Sequence, residues 1–135
     1  MTNVTMTMKL NHLSFPSADV PATASFFAKY LGFTIAGEVR GSYILKRPGF
    51  DVVIEKTGDY SPAWPKNFHV GFELPSVDEV QALYQQFKAD GVKMETEVFN
   101  NDRGSRFFCR APGGVMFELN TRADAAPKYQ GSFDN

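Results

Sequence analysis

Residues 67–76 read NFHVGFELPS, and the fold turns on that stretch. Phe68, Val70 and Phe72 alternate with His69, Gly71 and Glu73, the period-two pattern of a strand with one apolar and one polar face. The segment runs directly into SVDEVQALYQQFKADG. There Ser76 and Glu79 stand in capping-box spacing, and Val77, Val80, Tyr84 and Phe87 recur at helical steps until Gly91. An imidazole in the middle of a strand, on the face that is not apolar, calls for a reason. The chain has only 2 histidines, so the other is informative.

His12 lies in KLNHLSF, which alternates in the same way. Asp19 then caps a predicted helix with Pro21 in its first turn and Val20, Ala24, Phe27 and Leu31 as an apolar stripe, closed by Gly32. Three strands follow, FTIAGEV, SYILKR and DVVIEK, with Gly41 and RPGF as turns. After the second helix come VKMETEV, SRFFCR and GVMFELN, the last two joined by the tight turn APGG. The fold class is therefore α+β, a βαβββ unit written twice. Two copies are too few for a solenoid, so a pseudo-twofold pair is the expected packing. The boundaries are one domain over 1–135, with module one at about 9–57, module two at about 67–121, and a polar tail over 122–135.

Bulk properties exclude several functions. The 135 residues are 43% hydrophobic and 21% charged, with net charge -1, so the electrostatic footprint of a nucleic-acid binder is missing. No apolar run reaches a membrane span, and the polar start MTNVTMTMKL lacks a signal-peptide core. The single cysteine, Cys109 in RFFCR, fits a reducing, cytoplasmic compartment and reads as a buried, inert thiol.

Each module opens on a histidine strand and closes on a strand with a glutamate among apolar residues: Glu55 in VVIEK and Glu118 in VMFELN. Alternation turns His12, Glu55, His69 and Glu118 away from the apolar faces. Two imidazoles and two carboxylates are donors suited to a divalent first-row metal, and a metal would offset the cost of charge projecting from mid-sheet. A strand histidine taken alone is more often a hydrogen-bonded structural residue; the matched placement singles these out. Glu73, toward a strand end with Pro16 as its counterpart, reads as solvated. Trp64, Tyr60, Tyr43 and Phe99 are aromatic candidates for stacking a ligand. Arg106 is a candidate substrate contact, although solvation at a strand edge explains it, Arg103 and Arg110 as well.

The pairing of NHLSFPSADVPATASFFAKYLGF with FHVGFELPSVDEVQALYQQFKADGV and FFCRAPGGVMFELN resembles the vicinal oxygen chelate superfamily of glyoxalases, bleomycin-resistance proteins, fosfomycin-resistance enzymes and extradiol dioxygenases. The resemblance covers nearly all of 9–121. It implies two curled mixed sheets around a cleft, with a divalent metal (nickel, cobalt, zinc, iron or manganese) held at its floor by His12, Glu55, His69 and Glu118. It implies a homodimer with sites assembled across chains, and a glyoxalase-type lyase or isomerase that works on a small oxygenated metabolite through a metal-stabilised enediolate, with Glu118 as general base. Trp64, Arg106, Tyr43 and Phe99 are the expected substrate contacts; a metal-free small-molecule binder of the bleomycin-resistance type, using Trp64, Tyr60, Tyr43 and Phe99 to stack an aromatic ligand, is the alternative. A dioxygenase is disfavoured because no third histidine is present to act as acid–base group. Pro16 stands where glutathione-using glyoxalases carry an arginine, and the turn reads APGG in place of DPDG, which argues against a glutathione adduct.

Overall fold

Asp19 and Ser76 start the two helices, as their spacing predicts. The Asp19 carboxylate accepts from Ala22 N at 3.1 Å, and the Ser76 hydroxyl accepts from Glu79 N at 3.2 Å. In this computed structural model residues 8–130 are described, so the last five positions of the predicted polar tail lie outside the described residues. The chain divides into two compact units, Met1–Ala63 and Trp64–Asn135, with the boundary in the Pro- and Gly-punctuated loop between the expected modules.

The first unit contains β1 (His12–Ser17), α1 (Val20–Tyr30), β2 (Thr34–Val39), β3 (Ser42–Arg47) and β4 (Phe50–Lys56). Its sheet runs β1-β4-β3-β2, with β1 parallel to β4 and the other pairs antiparallel. Phe15, Leu45, Val52 and Ile54 are buried on one face with Val20, Ala24, Phe26 and Phe27 of α1. The predicted stripe Val20, Ala24, Phe27 and Leu31 is buried along its whole length.

The second unit contains β5 (Val70–Glu73), α2 (Val77–Ala89), β6 (Lys93–Met94), β7 (Phe99–Asn101), β8 (Gly104–Arg110) and β9 (Met116–Asn120), followed by a 3-10 turn at Pro127–Tyr129. Its sheet runs β5-β9-β8-β6, again with the first strand parallel to the last, and β7 pairs with β8. Phe107 packs edge-on against Tyr84 and Phe87 of α2, at ring separations of 5.3 and 5.8 Å. Cys109 is buried beside them, and that burial, with the Glu95 carboxylate adding to it, pushes the thiol up to about 12.

Two expectations about the strands are corrected. VKMETEV forms only the two-residue β6, because Glu95 N and Thr96 N both donate to the Phe108 carbonyl while the Thr96 hydroxyl accepts from Phe108 N. A side chain has taken the place of the next ladder bond, and backbone pairing with β8 resumes further on, as the unforeseen β7. His69 is also not in mid-strand. Phe68 N still bonds Pro65 O at 3.1 Å, so the chain is leaving a turn and β5 begins just after His69.

Candidate metal and acid–base site

The polar face of the second sheet is built by pairing register. Gly71 on β5 and Phe108 on β8 both lie opposite Glu118 on β9, and Glu73 and Arg106 both lie opposite Asn120. Residues on one rung of a sheet share a face, so Glu118, Asn120, Arg106 and Phe108 project together. His69, just ahead of β5, joins them: its Nε2 is 3.3 Å from Glu118 Oε1, and its ring meets Phe108 edge-on at 5.1 Å. Asn120 Nδ2, which donates to Glu118 Oε2 at 2.7 Å, lies beside Gly71, where an added Cβ would make an ordinary contact with it at 3.6 Å.

Glu118 is only 7% exposed and Arg106 only 5%. Arg106 Nη1 stands 3.7 Å from Glu118 Oε2, and Nη2 donates to Asn101 Oδ1 at 2.7 Å and to the Gly104 carbonyl at 3.3 Å. The reading of Arg106 as a solvated strand-edge charge is therefore wrong. Glu73 is not free in solvent either: it faces Arg122 at 3.7 Å with its side chain 19% exposed. Arg110 bonds Glu95 at 2.6 Å and the Gly114 carbonyl at 2.8 Å, which ties β8 to the turn before β9.

The tautomer of His69 follows from its other nitrogen. Nδ1 is 2.9 Å from the Asn67 backbone carbonyl, which can only accept, so Nδ1 carries the proton and Nε2 presents a lone pair when the ring is neutral. That lone pair faces a carboxylate oxygen. Two acceptors at 3.3 Å repel unless a proton or a metal cation lies between them, and a histidine whose Nδ1–H is fixed by a carbonyl is the usual second-shell arrangement of a metal ligand. The pair thus fits a divalent cation by donor chemistry. Among the described residues, no group of three or more His, Cys, Asp and Glu side chains is placed to hold a metal.

In the first unit His12 is exposed and its Nδ1 lies 2.7 Å from Asn11 Oδ1, so Nε2 again carries the lone pair once that oxygen is the acceptor. The carboxylate is where the two units part. His12 lies opposite Asp51, Ser14 opposite Val53 and Pro16 opposite Glu55. In the second unit Gly71 lies opposite Glu118 and Glu73 opposite Asn120. Aligning His12 with His69 therefore makes Val53 the counterpart of Glu118, and Glu55 the counterpart of Asn120. Glu55 and Glu118 do not occupy matched places. Glu55 lies exposed four rungs beyond His12, roughly 13 Å along the strand.

The aromatic candidates separate. Tyr43 pairs with Ile54 on the face that α1 covers, opposite to the one carrying His12, Val53 and Glu55. Trp64 stacks on Phe68 at 5.2 Å, and a Cβ on Gly114 would lie 3.5 Å from its ring, so it packs against the turn between β8 and β9. Phe99 is 40% exposed and stacks on Phe108 at 6.2 Å, which places it beside the His69–Glu118 pair. Sequence reasoning missed Asn120 and Phe108, although both share the period-two row of residues already singled out.

A family model described as the Glyoxalase/Bleomycin resistance protein/Dioxygenase superfamily matches residues 9–119. Among solved structures, one described as a possible glyoxalase from Bacillus cereus is 31% identical, with 84% of this chain and 98% of that one covered and a TM-score of 0.72. A lactoylglutathione lyase from Agrobacterium tumefaciens is 16% identical over 84% of this chain and 92% of its own, with a TM-score of 0.68. A fosfomycin resistance protein from Listeria monocytogenes is 21% identical over 84% and 93%, with a TM-score of 0.72. The last two establish likeness of fold alone. No curated protein matches the chain significantly.

Proposed function

The chain belongs to the glyoxalase/bleomycin resistance protein/dioxygenase superfamily, and from that premise we propose that it is a divalent-metal-dependent lyase or isomerase of glyoxalase type acting on a small oxygenated metabolite. The observation that carries this reading is the His69–Glu118 pair, in which an imidazole lone pair faces a buried carboxylate at 3.3 Å. His69 and Glu118 are the proposed metal donors of the second unit, and His12, by its matching place in the repeat, is the proposed donor of the first. Glu55 is set aside, because its register counterpart is Asn120.

A bound nickel, cobalt, zinc, iron or manganese ion would polarise a substrate carbonyl and stabilise negative charge on the adjacent oxygens. Glu118 is the proposed base. Asn120 and Arg106 engage Oε2, so Oε1, the oxygen that faces His69, is both the proposed metal donor and, when released from the cation, the proposed base that would take a proton from the hydroxyl-bearing carbon beside the carbonyl and return it to the carbonyl carbon. One C–H bond breaks and one forms, the hydroxyl proton passes to the former carbonyl oxygen, and the electron pair stays within the substrate. Asn67 keeps the proton of His69 on Nδ1 throughout. The protein is proposed to act in the cytoplasm, a reading its single cysteine supports, and as a homodimer, a reading its superfamily membership supports.

A second reading, a metal-free small-molecule binding protein, is supported by Val53 in the place that Glu118 occupies in the other unit. Metal analysis of protein purified without chelator separates the two. Wild type should carry about one ion per chain; His69→Ala and Glu118→Gln should lose it and Glu55→Gln should keep it. A wild-type protein that takes up none of the five metals hands the function to the binder.

A further inference from the structure

The atoms that hold Arg106 beside Glu118 belong to one turn. Nη2 donates to Asn101 Oδ1 at 2.7 Å and to the Gly104 carbonyl at 3.3 Å, and these two residues close the hairpin between β7 and β8. Asn101 Oδ1 also accepts from Arg103 N at 2.8 Å, so the turn fixes its own acceptor. The hairpin has little of its own to keep it in place. β7 is three residues long and exposed throughout, and two short strands by themselves are marginal in water.

The anchor is the segment after β9. Thr121 N donates to the Ser105 carbonyl at 2.9 Å, and Ala126 N to the Asp102 carbonyl at 2.7 Å. Between them the Asp124 carboxylate accepts from Ser105 N at 3.0 Å and from the Ser105 hydroxyl at 2.6 Å, and the Asn100 side chain bonds it as well. Asn100 and Ser105 are paired, on the rung between Phe99–Arg106 and Asn101–Gly104. Alternation turns Ser105 to the face of Phe107 and Cys109, opposite to the guanidinium. Asp124 therefore grips, from behind the sheet, the rung between Arg106 and its acceptors. Burial works to raise its carboxyl, but the bonds from Ser105 and Asn100 prevail and hold it below the ordinary carboxylate range, so it grips as an anion. We propose that Asp124 is a positioning residue for Arg106: it fixes the Asn100–Ser105 rung, and with it the two oxygens that keep the guanidinium beside Glu118. This deepens the reading of Glu118 as base and rests on it, since Arg106 and Asn120 engage Oε2 and leave Oε1 facing His69.

The test is hydrogen exchange at the Arg106 Nε–H, followed by NMR in chelator-treated protein, so that its outcome is separate from that of the metal reading. Nε is buried, so its proton should exchange slowly in wild type; loss of the signal in Arg106→Lys assigns it. Asp124→Ala should speed that exchange by about tenfold or more, the loss of a charge-assisted bond, while the amides of α2 keep wild-type protection. Asp124→Asn can still accept from Ser105 N and can donate to the Ser105 hydroxyl, so it should restore most of the protection. Ser105→Ala removes only the 2.6 Å bond. It should speed exchange several-fold, and it decides the matter if Asp124→Ala does not fold. Exchange at Nε–H unchanged in the folded variants, or accelerated no more than at the α2 amides, overturns the proposal and leaves Asp124 only as a tie for the chain after β9.

Discussion

Replacing Glu118 by glutamine removes one charge at nearly constant volume, and the structure allows its cost to be worked out. Arg106 Nη1 lies 3.7 Å from Glu118 Oε2. At an effective dielectric constant of about 20, Coulomb's law gives about 4.5 kcal/mol for that pair. Two effects reduce the loss. The glutamine amide can donate to the His69 Nε2 lone pair, which turns a 3.3 Å repulsion into a hydrogen bond with a gain of about 1 kcal/mol. Its carbonyl can also keep the bond from Asn120. The expected destabilisation is about 2–4 kcal/mol, measured by urea unfolding at neutral pH with chelator present, since a bound metal would add its own linkage. The double variant with Arg106→Gln completes a cycle in which the coupling energy should be about 2–3 kcal/mol. A coupling below about 1 kcal/mol, or a Glu118→Gln protein as stable as wild type, would refute Glu118 as the counter-charge of Arg106.

Three further outcomes are expected from features around the site. Gly104 has φ +100, and a Cβ there would run into the Thr121 carbonyl, so Gly104→Ala should lower the melting temperature by several degrees, a loss of about 2–3 kcal/mol. Thr96→Val leaves Phe108 N without its acceptor and should cost about 1–3 kcal/mol in urea unfolding, with hydrogen exchange at Phe108 accelerated. The Cys109 thiol stays protonated in the folded chain up to about 12. In the unfolded chain it ionises near its ordinary value of about 8.5, so the unfolded state binds fewer protons above that pH. Its contribution to stability is present in full below about 8.5 and is lost as pH rises toward 12, so wild type should lose stability with pH more steeply than Cys109→Ala. Identical pH slopes would show that Cys109 is accessible.

Much of the architecture was legible from local signals. Asp19 and Ser76 cap helices because their short side chains reach the first free N–H groups, which needs no tertiary information. Val20, Ala24, Phe27 and Leu31, and Val80, Tyr84 and Phe87, declare a buried stripe by their spacing alone. The end of β6 was not legible, because nothing local announces that the Thr96 hydroxyl will take the Phe108 N–H. The burial of Arg106 was equally hidden: its cover comes from Asn101 and Gly104, through a strand with no apolar alternation of its own.

The sequence by itself determined that this chain is a duplicated βαβββ unit, that its two histidines hold matching places, and which face of each strand is apolar. The tertiary structure alone decided which carboxylate answers which histidine. Alternation reports a face, and a shift of two residues leaves every side chain on the same face. Val53 and Glu55 are therefore indistinguishable by pattern. Only the parallel pairing of β1 with β4, and of β5 with β9, sets the rung, and it puts Val53 where the other unit has Glu118.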